Sequence, residues 1–259
     1  METLNIEIAN HFATVTLNRP DVRNAFNETT IAEITQVFRD LDGNDSIRAI
    51  VLAANGSAFC AGADLNWMKK MADYTHEENL ADAGQLAEML RTIYCCSKPV
   101  VAKVQGDCYA GGMGLVAACD IAVSVDTANF CLSEVKLGLI PATISPYVIK
   151  AMGESAARRY FVTAERFGAA EAYRTGFVQE VVAADMLDVK VAEIVKALVS
   201  NSPNAVRQAK RLVQDVASRE LTPTLIAATV EGIAQIRASD EGREGVRSFL
   251  EKRKPNWLS

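Results

Sequence analysis

Ile47-Arg48-Ala49-Ile50-Val51-Leu52 decides the fold class: it is a nearly continuous apolar run of strand length, the pattern of a strand covered on both faces. Val100-Val101-Ala102-Lys103-Val104 repeats it, and between the two lie a polar loop and a helical pattern around residues 78–91. Strand, helix, strand at this spacing predicts right-handed crossovers and a largely parallel sheet. Upstream, Ala13, Val15 and Leu17 alternate with Thr14 and Thr16, the period of a half-buried strand that His11 opens and Arg19-Pro20 ends. Ile31, Ile34, Val37, Phe38 and Leu41 then recur at helical spacing, closed by Gly43. After about Ser145 the β pattern fades. Ser202-Pro203 reads as an N-cap with proline at the first helical position, opening a helix through Leu212 and Val213. Helices around 222–237 and 240–252 complete the tail. The expectation is an α/β core over residues 1–200 and a helical C-terminal region over 201–259 whose apolar stripes need a partner surface.

Composition narrows the function classes. With 259 residues and 49% apolar content the chain can bury one large core. A net charge of −5 supplies no basic surface for nucleic acid, so no nucleic-acid partner is expected. No apolar run reaches the roughly 18–20 residues of a membrane span, and Met1-Glu2-Thr3-Leu4 resembles neither a signal nor a transit peptide. A cytoplasmic protein without a membrane partner follows as the expectation. Cys60, Cys95, Cys96, Cys108, Cys119 and Cys131 form no C-x-x-C pair and read as reduced, mostly buried thiols. Neither His11 nor His76 sits in a zinc or hydrolase motif, so no metal is expected.

Two glycine-containing loops each follow a core strand: Phe59-Cys60-Ala61-Gly62-Ala63-Asp64-Leu65 after the Ile50 strand, and Tyr109-Ala110-Gly111-Gly112-Met113-Gly114-Leu115 after the Val101 strand. At the carboxyl ends of parallel strands, small residues let backbone N–H groups face a ligand, and two such groups can converge on one oxygen. For either loop alone a plain tight turn is the stronger reading. Gly112-x-Gly114-x-x-Ala117 fits a dinucleotide fingerprint, but the next strand, 121–125, begins too soon for its crossover helix. The third segment is Asn129-Phe130-Cys131-Leu132-Ser133-Glu134-Val135-Lys136-Leu137-Gly138-Leu139-Ile140-Pro141. Alone, Glu134 reads as a helix cap or a partner of Lys136. Beside the two loops, a partly desolvated glutamate is a candidate general base with a raised pKa.

These three motifs, A-G-A-D-L at 61–65, G-G-x-G-L…C-D at 111–120 and F-x-L-S-E-V-x-L-G-L-I-P at 130–141, resemble the enoyl-CoA hydratase/isomerase (crotonase) superfamily. The resemblance runs over essentially the whole chain, from Leu17-Asn18-Arg19-Pro20 to Phe249-Leu250-Glu251-Lys252-Arg253. It implies a crotonase-like α/β fold of ββα repeats in a spiral of parallel-rich sheets with a helical C-terminal extension. It also implies an acyl-CoA thioester as substrate, with no cofactor because coenzyme A belongs to the substrate, and a homotrimer or homohexamer. The stretches 61–71, with Trp67-Met68, and 140–167 look most like bacterial 3-methylglutaconyl-CoA hydratases of leucine breakdown. Isohexenylglutaconyl-CoA hydratases of terpene breakdown look almost as similar. Carried over by position, the oxyanion-binding N–H groups fall on Ala63 and Gly111 and the base on Glu134, with the Ala142 backbone helping to orient water. Arg23, Ala25, Ala61, Asp64, Leu65 and Trp67 fall on the thioester-binding surface, and Phe249 and Lys252 would reach a neighbour's site, although Phe249 reads equally well as packing within its own chain. Arg23 reads equally well as a solvated surface charge.

One position departs from the pattern. Hydratases of this family carry a second glutamate in the second glycine loop, where this chain has Gly114. One-glutamate members are often Δ3,Δ2-enoyl-CoA isomerases, so isomerase is the alternative to hydratase. The surroundings of Glu134 favour the hydratase, with the substrate's distal carboxylate expected in the space Gly114 leaves. A non-catalytic acyl-CoA binder would not need both loops and Glu134 together, and RNA binding is disfavoured by the charge.

Overall fold

The computed structural model describes residues 1–258. In chain order its first half runs β1 (Leu4–Ala9), β2 (Phe12–Leu17), α1 (Glu28–Asp42), β3 (Ala49–Ala54), β4 (Ala58–Cys60), α2 (Leu65–Met71), α3 (His76–Cys95), β5 (Val100–Val104), β6 (Asp107–Tyr109) and α4 (Gly111–Ala118). The second half runs β7 (Ile121–Val125), β8 (Asn129–Cys131), α5 (Ser145–Thr163), β9 (Phe167–Gly168), α6 (Ala169–Arg174), β10 (Glu180–Val182), α7 (Leu187–Ser200), α8 (Pro203–Val216), α9 (Pro223–Ala238) and α10 (Asp240–Leu250).

The runs that read as doubly covered strands, β3 and β5, lie at the centre of a six-stranded sheet of order β1-β2-β3-β5-β7-β10. From β2 to β10 every neighbour is parallel, as the crossover spacing requires. Only β1 is antiparallel, joined to β2 by a two-residue turn in which Asn10 and His11 take left-handed φ of 50° and 67°. His11 thus turns the hairpin, and β2 starts at Phe12. Ala13, Val15 and Leu17 point into the core, and α1 buries Ile31, Ile34, Val37, Phe38 and Leu41. Asn27 caps α1 by accepting from the Thr30 N–H.

A second, four-stranded sheet has the order β4-β6-β8-β9, with β4, β6 and β8 mutually parallel and β9 antiparallel. Its existence corrects two expectations. The glycine loops do not leave β3 and β5 directly; each follows a short strand of this second sheet, β4 and β6. Likewise β structure does not end near Ser145, because β9 completes the small sheet and β10 the large one.

In the tail, α10 packs against both α8 and α9, and Val213, Leu221, Val230, Val246, Phe249 and Leu250 stay exposed. Ser202 caps α8 through the Ala205 N–H, as its sequence predicts. Lys210 of α8 ties the tail to the core, pairing with Asp120 at 2.7 Å and donating to the Lys98 carbonyl. All six cysteines are free thiols; Cys60, Cys96, Cys108 and Cys131 are buried. Among the described residues no helix is long and apolar enough to cross a membrane.

Candidate active site

The small sheet assembles the site by register. In β4, β6 and β8, Cys60 lies beside Cys108 and Cys131 beside Tyr109. Three residues beyond Cys60, Cys108 and Cys131 come Ala63, Gly111 and Glu134, so one sheet edge brings the three groups together. The Ala110 N–H donates to the Cys131 carbonyl at 2.8 Å, fastening the strand that leads to Glu134 against the start of the second loop. Burial raises the Cys60 thiol to about 12 and pushes Cys108 well above its ordinary value. They serve as packing rather than as nucleophiles.

Ala63 and Gly111 present backbone donors. Phe26 straddles Ala63 in a parallel bridge, its N–H bonded to the Gly62 carbonyl at 2.9 Å and its carbonyl accepting the Asp64 N–H at 3.0 Å. That pairing leaves the Ala63 N–H facing away from Phe26. Among the described residues neither the Ala63 nor the Gly111 N–H donates to a protein acceptor. Gly111 is the first residue of α4, so the positive end of the helix lies behind its N–H. Ala110, just before it, holds a left-handed φ of 47° with ψ −122°, a conformation that costs a non-glycine residue about 1–3 kcal/mol. Strain stored at that peptide fixes the direction of the Gly111 N–H.

Glu134 begins a short 3-10 turn ended by Gly138 at φ 73°. Its Oε2 is buried and has no hydrogen-bond partner among the described residues. Burial raises its pKa above the ordinary 4.5, only partly countered by its own backbone N–H. A desolvated carboxylate with one free oxygen, at the end of the same small sheet as two N–H donors, can take a proton while such donors hold a developing oxyanion.

Gly114 lies on α4, and the space beside it is not open. A Cβ there would lie 2.3 Å from Cγ2 and 2.9 Å from Cβ of Ile144, with Leu90 at 3.4 Å. The expectation that a substrate carboxylate fills a gap at Gly114 is therefore corrected: the buried Ile144 side chain fills it. Ala142 requires a second correction. Its N–H is engaged by the Ile140 carbonyl at 2.8 Å and its carbonyl accepts from Ser145, so neither backbone group is free to orient water.

The segment 23–26 runs alongside the first loop, where the Ala61 N–H donates to the Arg23 carbonyl. Arg23, Ala25, Ala61, Ala63, Asp64 and Leu65 are thereby brought together. Arg23 and Leu65 are exposed and Ala25 is buried. Asp64 is buried and fully occupied: it accepts from the Asn66 and Trp67 N–H groups as the cap of α2 and pairs with Arg19 at 2.8 Å. Burial would raise its pKa, but Arg19 and the two cap bonds hold it below the ordinary carboxylate range. Trp67 is buried against Phe26, its indole N–H donating to Asp82 at 2.9 Å. Phe249 and Lys252 lie elsewhere, on α10 and just beyond it, with Phe249 exposed. The sequence did not single out Arg19, Phe26 or Ile144. Arg19 lies within the Leu17–Pro20 motif, but the other two carry no local signal, since their roles depend on contacts far along the chain.

Comparison with known proteins fits this arrangement. The model of the enoyl-CoA hydratase/isomerase family matches residues 7–259. The structure of an enoyl-CoA hydratase from Shewanella pealeana superposes with a TM-score of 0.96 at 43% identity, covering 98% of this chain and 96% of that one. An enoyl-CoA hydratase/isomerase from Marinobacter aquaeolei superposes with a TM-score of 0.93 at 31% identity over 100% of both chains. The mevalonyl-coenzyme A hydratase sidH of Aspergillus fumigatus is 34% identical over 252 residues, 95% of this chain and 91% of that protein.

Proposed function

The chain belongs to the enoyl-CoA hydratase/isomerase family, a family of enzymes, and we propose that it adds water to, or removes it from, a branched 2-enoyl-CoA thioester, 3-methylglutaconyl-CoA above all. The observation that carries this reading is that adjoining strands of one small sheet lead to Glu134, whose buried Oε2 has no hydrogen-bond partner among the described residues, and to Ala63 and Gly111, whose N–H groups have no protein acceptor among them. Glu134 takes a proton from water as the water oxygen bonds to C3. The C2=C3 electrons shift toward C1, and the thioester oxygen becomes an oxyanion held by Ala63 and Gly111. Glu134 then returns the proton to C2 and the C=O bond re-forms, so that H and OH have added across C2=C3. Each oxyanion donor contributes about 3–4 kcal/mol to such a step.

The branched acyl chain is supported by the sequence around Glu134 and by the Aspergillus relative, since a mevalonyl group also carries a methyl branch at C3. Isohexenylglutaconyl-CoA is the alternative of the same type. The isomerase reading has its own observation: Ile144 blocks position 114, which leaves Glu134 without a second carboxylate from α4. A panel of crotonyl-, 3-methylglutaconyl-, isohexenylglutaconyl- and 3-enoyl-CoA separates them. Fastest water addition to a glutaconyl thioester is expected; a clear preference for shifting the double bond of the 3-enoyl-CoA would overturn the hydratase reading. The exposed apolar residues of α8–α10 support assembly into trimers or pairs of trimers, in which Phe249 and Lys252 approach a neighbour's thioester. Sedimentation at micromolar concentration is expected to show no monomer.

A further inference from the structure

Gly111 has ordinary negative φ, so its backbone does not demand glycine. The atoms that a side chain there would first meet belong to a single residue. A Cβ at position 111 would lie 2.3 Å from Cζ, 3.0 Å from Cε1 and 3.5 Å from Cε2 of Phe26, and these are the three nearest atoms. The same Phe26 holds the other loop through its backbone, bonding to the Gly62 carbonyl and the Asp64 N–H on either side of Ala63. Its ring is buried and is backed by Trp67, with centroids 5.9 Å apart. Trp67 is in turn fixed by Asp82 and follows the Asp64 cap by three residues.

We propose that Phe26 is a positioning residue that sets the spacing of the two oxyanion donors, its backbone fixing Ala63 while its ring seats against Gly111. Glycine at 111 is then the counterpart of the ring at 26. This inference rests on the reading of Ala63 and Gly111 as the oxyanion site. Phe26 acts through the donors it holds, so its effect falls on the transition state more than on binding. A misplacement near 1 Å of a catalytic group costs about a hundredfold in rate.

A double-mutant cycle tests it. Phe26→Leu withdraws the ring and Gly111→Ala drives a methyl into it; each is expected to lower kcat by about ten- to a hundredfold, with KM within about threefold. In Phe26→Leu/Gly111→Ala the methyl takes up space the ring vacates, and kcat is expected to recover to within several-fold of the parent. Losses that instead multiply in the double variant, or a Phe26→Leu enzyme with unchanged kcat, would overturn the proposal. Because Phe26→Leu can also cost stability, the carbonyl stretch of a bound saturated acyl-CoA is read on folded protein. The parent should shift it to lower frequency, Phe26→Leu less so, and the double variant should restore the shift. Equal shifts in all variants contradict the proposal. The carbonyl shift reads the donors and water addition to an enoyl-CoA reads the functional assignment, so the failure of one is distinguishable from the failure of the other.

Discussion

Asp64 and Glu134 follow two strands of one small sheet and live in opposite surroundings. Asp64 has a guanidinium and two backbone N–H groups around its carboxylate, and its pKa is held low. Glu134 has a buried oxygen with no partner among the described residues, and burial holds its pKa high. The difference separates building from chemistry. A carboxylate with both oxygens engaged fixes a loop, whereas one left unsatisfied at some cost to folding is free to move a proton.

The largest effect is expected from removing the unpartnered carboxylate. Glu134→Gln keeps the size but loses the proposed base, and kcat should fall by about 10²–10⁴ while thioester affinity, which the proposal assigns to Ala63, Gly111 and the coenzyme A contacts, should change little. The same variant should melt at a higher temperature at pH 7. The parent's raised pKa means its stability is fullest below the ordinary carboxylate value and declines as pH rises through the raised one, so the gain in the variant should vanish in acid. A variant less stable than the parent would break the contrast with Asp64.

Position 114 sharpens the comparison by adding a third carboxylate. Gly114→Glu forces a side chain into Ile144, and overpacking of this kind costs about 1–3 kcal/mol or more, read as a lower Tm with no gain in hydration. Gly114→Glu/Ile144→Gly removes both atoms closer than 3 Å and so relieves the overpacking, but it deletes a buried core side chain and adds a desolvated carboxylate, so Tm should stay below the parent's. It should also raise the Glu134 pKa further by like-charge repulsion. A smaller effect follows at Asp64. Asp64→Ala deletes a cap worth about 0.5–2 kcal/mol and leaves Arg19 with only its bond to the Ala25 carbonyl, so Tm should fall, while kcat drops only several-fold through the displaced Ala63 peptide. The parent's contribution from Asp64 is present above the ordinary carboxylate range and lost as pH falls through the depressed pKa, the reverse of Glu134.

What the sequence disclosed followed from local pattern. The doubly covered strands β3 and β5, the amphipathic stripe of α1 and the Ser202 cap were all legible because period and capping chemistry are written within a dozen residues. β1 escaped because only Leu4 of it is buried, which erases the alternation, and β9 is too short to have a period. The second sheet was hidden for the same reason: β4, β6 and β8 are three residues each, and their place is set by pairing with one another rather than by their own composition. The three motifs were legible as a resemblance, and the structure gathers them at one sheet edge. Ile144 against Gly114 and Phe26 against Gly111 were not legible, since each pairs residues thirty or more positions apart and no spacing rule connects them.

The central claim, that Glu134 is the sole carboxylate base and works at a pKa raised by burial, is tested most directly by the pH dependence of kcat/KM for water addition. One acid limb is expected, with activity falling as pH drops through a value above the ordinary 4.5, and that limb should be absent from the residual rate of Glu134→Gln. A limb at or below the ordinary value, or one that persists in Glu134→Gln, would contradict it.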